Sequence, residues 1–141
     1  MRVVPFDADP ETLIRQRIDA FRRGEFGFIY DSYHSEAPFL RQFPDRADYL
    51  SYARSEIAGR ITIERFRLLR SRSSGDRAEL IFHQLLRGEG GYQESFEMAV
   101  LLREGGLWRY LGSSRMDRSH YRGRVEDLDF DHFDQGGVVF F

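Results

Sequence analysis

Four histidines, His34, His83, His120 and His132, are the groups in this sequence best suited to take up and return a proton near neutrality. His34 closes a run holding Tyr30, Asp31 and Tyr33, which puts a base, an orienting carboxylate and two phenolic donors close together in the chain. In one apolar stretch His83 alternates with Ile81 and Leu85; in the next, Glu97 alternates with Ser95 and Ala99. If both stretches are strands that turn these groups inward, His83 and Glu97 converge with His34 and Asp31, and proton transfer to a bound molecule becomes feasible. The candidate catalytic set is therefore His34, Asp31 and Glu97. Tyr30, Tyr33, His83, Trp108 and Tyr110 are the candidate pocket lining, since ligand pockets combine aromatic walls with a few polar tips. The same residues have a plainer use. His34 can tie a helix end to a sheet, and Glu97 can be a core carboxylate held by Arg15 or Arg17, because a buried charge is tolerated only with a partner.

Much chemistry is excluded. Without cysteine there are no disulfides and no thiolate-bound zinc, and without lysine there is no Schiff base. All 21 basic residues are arginine, and asparagine is missing too, a pattern that coding bias explains. The run Gly88-Glu89-Gly90-Gly91 lacks the strand-to-helix context of a phosphate loop, and neither G-x-S-x-G nor H-E-x-x-H occurs. Asp127, Asp129, Asp131 and Asp134 imitate the start of a calcium loop, but His132 takes the place of the turn glycine and Val138 that of the bidentate glutamate. No metal or cofactor is expected. With 141 residues and a net charge of -2 the chain fits a single domain, and its surface as a whole does not attract nucleic acid. No apolar run reaches membrane-spanning length, and the amino terminus has no hydrophobic signal core, so the expectation is a cytoplasmic protein with no membrane partner.

The elements that must position the candidates follow from patterning. Asp9 can cap a helix whose first position is Pro10, and Leu13, Ile14, Arg17, Ile18 and Phe21 form one stripe before Gly24 stops it. A shorter helix is expected within 25–33 and a third from Asp45 to Gly59. Past Gly59 the period becomes two: Ile61 and Ile63, then Phe66 and Leu68 one step out of phase, predict a strand bulged near Glu64 and Arg65. Further strands are expected at 77–87, 92–103 and 107–113, joined by glycine-rich hairpin turns. Helices followed by an antiparallel meander make an α+β fold, in which the helices cover one face of a curved sheet and leave a concave interior.

Two segments carry a resemblance. Leu13-Ile14-Arg15-Gln16-Arg17, Ala20-Phe21, Gly24, Ile29 and Ser32-Tyr33-His34 are similar to the first helices of YchJ-type proteins, written L-M-R-S-R-Y-x-A-F and then L-x-x-T-W-H-P. Glu97 and the run Arg103-Glu104-Gly105-Gly106-Leu107-Trp108-Arg109-Tyr110 resemble that family's closing hairpin, H-E-x-S-x-F-x-x-x-x-G-x-W-x-Y. The resemblance implies the cone-shaped nuclear transport factor 2-like (cystatin-like) fold, whose relatives include isomerases, dehydratases and epoxide hydrolases. In the full-length family the domain is flanked by cysteine-rich SEC-C motifs, which this chain lacks. Ser35 replaces the proline after the family's histidine, and Ala99 replaces the serine two places after its glutamate.

The last part is the least family-like. Residues 115–124 hold four arginines against one aspartate, whereas 125–141 hold five acids and no base. Leu128, Phe130 and the terminal Val138-Val139-Phe140-Phe141 suggest an extended arm. The expected organisation is a cone-shaped domain over 1–114 and a tail over 115–141 that packs on that domain or on a second subunit. Nucleic-acid binding through Arg115, Arg118, Arg122 and Arg124 is disfavoured, because the neighbouring acids neutralise their field. Two functions fit: a non-catalytic domain, homodimeric, serving as a scaffold or binding a small molecule; or a small lyase, isomerase or hydrolase with a His/Asp/Glu/Tyr pocket inside the cone.

Overall fold

A computed structural model describes residues 9–133 and the backbone of 138–140. Helix α1 (Pro10–Arg23) starts where Asp9 accepts a 2.8 Å hydrogen bond from the Thr12 amide, and it ends at Gly24, whose φ of 72° only glycine adopts cheaply. The Thr12 amide also holds the Asp9 carboxyl below its usual range. Asp9→Ala is therefore expected to cost about 1 kcal/mol in a denaturant titration at neutral pH. Because the folded value is the lower one, this difference closes as pH falls through it.

Helix α2 (Phe26–Asp31) follows at once, then a single turn α3 (Phe39–Gln42) that the sequence pattern did not signal, then α4 (Arg46–Glu56), capped by Asp45. The strands β1 (Thr62–Ser74), β2 (Arg77–Gly88), β3 (Gly91–Glu104) and β4 (Leu107–Asp117) form the antiparallel meander. Beyond it lie 3-10 turns at Arg118–His120 and Val125–Asp127, a helical turn α5 (Phe130–Phe133) and a short strand β5 (Val138–Phe140) beside β4. The expected bulge is present between Ile63 and Arg65, and a second lies between Leu68 and Arg70.

Period-two alternation sorts the sheet residues onto two faces. Ala78, Leu80, Phe82, Ala99, Leu101, Trp108 and Tyr110 point inward and join Leu13, Ile14, Phe26, Ile29 and Tyr49 of the helices in one core. Ile81, Phe96 and Met98 point outward and are covered by Leu128, Phe130 and Phe133. Two expectations need correction. The fourth strand continues past Ser113 to Asp117, so Arg115 is a sheet residue rather than a tail residue. Residues 125–133 form short turns rather than an extended arm, since their apolar side chains must fold down onto the outer face. Phe141 lies outside the described residues.

Candidate functional site

The inner face is polar at one end. Cross-strand neighbours share a face, so Gln84 opposite Ser95, Phe82 opposite Glu97, and Glu97 opposite Arg115 place Gln84, Ser95, Glu97 and Arg115 on the same side of the sheet. Arg17 reaches this region from α1. Its guanidinium lies 3.8 Å from the Tyr110 ring centroid and 4.7 Å from that of Tyr33, and it donates to the Ser32 hydroxyl and, at 3.2 Å, to the Ile29 carbonyl. Burial pushes the Glu97 carboxyl above its ordinary range, while Arg115, Arg17 and the Gln84 amide each pull it back. The Tyr110 phenol is also pushed up, first by burial and then by the Glu97 charge. Glu97 thus faces Arg17 of the two arginines the sequence offered; Arg15 is exposed, 6.0 Å from the Phe66 ring centroid.

The remaining candidates do not join this cluster. His34 is buried at the end of the α2 segment: its amide donates to the Tyr110 carbonyl at 2.9 Å and its Nδ1 accepts from the Glu36 amide at 3.0 Å. Its Nε2 stands 4.0 Å from Glu104. Asp31 is half exposed, and both its oxygens take Arg46, at 2.9 and 3.1 Å. His83 faces the opposite way from Glu97, because odd and even positions of β2 point to opposite sides; it meets Glu94 at 2.7 Å and stacks on Phe96. The convergence of His83 and Asp31 with His34 and Glu97 is accordingly not what the fold produces. Tyr30 donates to the Phe43 carbonyl at 2.7 Å, Tyr33 stacks on Phe39, and Trp108 lies under the Arg103 guanidinium.

Sequence reasoning missed Glu104, Gln84 and Arg115. Glu104 accepts from both the amide and the hydroxyl of Ser35, which lowers its carboxyl below the usual range. Proline at position 35 would supply neither donor, so the departure at that position and the role of Glu104 belong together. Among the described residues no cluster of three or more His, Asp or Glu side chains is arranged to hold a metal. None of the described helices is long and apolar enough to cross a membrane.

An open groove of about 900 Å³ lies on the outer face instead. Met98, Val100, Leu102 and Leu111 line its apolar part, and Glu36, Arg41 and Arg77 stand at its rim.

Comparison with known proteins agrees with this architecture. No curated protein sequence matches. Among solved structures, a SEC-C motif containing protein from Rhodopseudomonas palustris is 22% identical, with 77% of this chain and 79% of that chain covered at a TM-score of 0.59. A putative calcium/calmodulin-dependent protein kinase type II association domain from Thiobacillus denitrificans is 18% identical, with 81% and 98% covered at 0.58. An NTF2-like protein of unknown function from Pseudomonas putida is 16% identical, with 84% and 92% covered at 0.55. A family model described as "YchJ, middle NTF2-like domain" matches residues 9–113. With most of the chain under that match, on a helix-backed curved sheet of the same kind, the protein belongs to the family of YchJ middle NTF2-like domains.

Proposed function

We propose that this domain is a non-catalytic scaffold that pairs with a second copy of itself through the outer groove on β3 and β4. One observation carries the reading: the interior carboxyl of Glu97 already has Arg17, Arg115 and Gln84 around it, whereas the outer face keeps an open groove with an apolar part. A general base needs reach and an unspent lone pair; His34 Nδ1 already accepts an amide hydrogen, and Asp31 is chelated by Arg46. Glu97 has two guanidinium groups in its field. That arrangement speaks for scaffolding over catalysis by His34, Asp31 and Glu97.

A twofold contact requires a patch complementary to itself. Glu36, Arg41 and Arg77 line the groove and supply both signs, so that the acid of one copy meets an arginine of its partner. Sedimentation velocity tests the proposal. The expected particle has twice the 16.6 kDa chain mass, and Leu102→Glu, which sets a charge on the groove floor, is expected to sediment as a single chain. A wild-type protein that stays a single chain at about 100 µM overturns the reading.

A further inference from the structure

The outer face of β1 carries Arg67, Arg70 and Arg72, opposite His83, Ile81 and Glu79 of β2. Arg72 is paired within the sheet by Glu79 at 2.7 Å, whereas Arg67 and Arg70 take their acids from the tail. Glu126 lies 3.7 Å from Arg67 and Asp129 lies 3.7 Å from Arg70. Arg70 also donates to the backbone carbonyls of Leu128 at 2.7 Å and Glu126 at 3.1 Å, contacts that do not depend on side-chain identity. Arg72 lies 4.0 Å over the Phe130 ring. Leu128 is fully buried, and Phe130 nearly so, in the cluster with Ile81, Phe96 and Met98. The segment Glu126-Asp127-Leu128-Asp129-Phe130 is thus bound as a peptide ligand is bound: charge clamps, carbonyl capture and two apolar anchors two residues apart.

We infer that the outer face of β1 and β2 is a docking groove for short acidic–apolar peptide segments of another protein, and that Glu126–Phe130 occupies it in cis as a resident competitor. Charge complementarity sets the partner's chemistry: an acid, an aliphatic anchor, a second acid and an aromatic anchor, presented on a turned backbone whose carbonyls Arg70 can reach. Such a partner must displace the tail, so its apparent affinity is reduced by the fraction of time the tail is docked. The anchors also pack on Phe96 and Met98 of β3, and Met98 lines the groove proposed above for self-pairing, so the two surfaces adjoin at that residue.

The probe is a fluorescein-labelled peptide of residues 124–133 (RVEDLDFDHF), titrated by fluorescence anisotropy into full-length chains. A chain carrying Glu126→Arg and Asp129→Arg loosens its own tail through surface positions that leave the core intact. It is expected to bind the peptide at least about tenfold more tightly than wild type. Adding Arg70→Glu to that chain is expected to abolish binding, and a scrambled peptide of the same composition is expected not to bind. The inference is overturned by three results: no binding to the loosened chain while circular dichroism shows it folded, binding that survives Arg70→Glu, or equal binding of the scrambled peptide.

Discussion

Arg17→Ala is expected to lower stability by about 3–4 kcal/mol, the largest effect of any single substitution considered. The reason is the number of things one side chain does. Its guanidinium sits over two tyrosine rings, satisfies the Ile29 carbonyl and the Ser32 hydroxyl, and stands in the field of Glu97. A desolvated cation–π contact is worth about 2 kcal/mol, and a hydrogen bond from a charged donor about 1.5–3 kcal/mol. Truncation also leaves Glu97 with one positive neighbour fewer; both side chains are half-buried, so this loss falls below the roughly 3–5 kcal/mol of a fully buried pair. These contributions overlap because they share one group, so the total lies near the largest of them rather than at their sum. For a chain of this size the thermal midpoint is expected to fall by about 10 °C. Arg17→Lys is the informative companion. It keeps the charge but not the planar fork that stacks on the rings and donates twice, so it is expected to recover less than half of the loss. Calorimetry on the three proteins decides the matter: a loss under about 1 kcal/mol for Arg17→Ala would show that α2 and β4 do not depend on this bridge.

What the residues announced in advance, and what they hid, divides along local and non-local lines. The limits of α1 were readable because Asp9, Pro10 and Gly24 act on their own turns of backbone. The first bulge of β1 was readable because a one-residue slip shows directly in the alternation of Ile63 and Phe66. The meander followed from the glycine turns. By contrast, alternation says that His83 and Glu97 each share a face with certain neighbours, but not that those faces are opposite ones; that depends on the register between β2 and β3. The pairing of Glu97 with Arg115 needed both that register and the true end of β4, which Gly112 and two serines obscure. The grip of Glu104 on Ser35 joins positions far apart in the chain, and no local propensity reports such a contact. In the tail, spaced apolar residues on successive short turns mimicked the period of a strand. Leu128 and Phe130 were correctly apolar, and their conformation was set by the surface they had to cover.

Glu97→Gln is expected to change how stability depends on pH, with a sign that follows from the direction of the Glu97 shift. In the folded protein burial raises this carboxyl above its ordinary range, so the proton is held more tightly in the native chain than in the unfolded one. The stabilisation that results is fully present below the unfolded value of about 4.3 and is lost as pH rises through the folded value. Across that window the wild type gives up as much as about 1.4 kcal/mol per pH unit from this one site. The glutamine amide resembles the protonated acid and does not titrate. The stability difference between Glu97→Gln and wild type is therefore expected to be flat below about pH 4, to grow in favour of the variant as pH rises, and to level off above the folded value. Carboxylates with lowered values, Glu79 and Glu104 among them, weaken both proteins alike on acidification and cancel in the difference. Denaturant titrations from pH 4 to pH 8 read it directly. In an Arg17→Ala background the rise should extend to higher pH, because the removed guanidinium was one of the charges holding the Glu97 value down. A difference that stays constant, or turns in favour of wild type as pH rises, would mean that Arg17 and Arg115 stabilise the carboxylate by more than burial penalises it. Glu97 would then be a permanently ionised partner of the two arginines rather than a carboxyl held toward its protonated form.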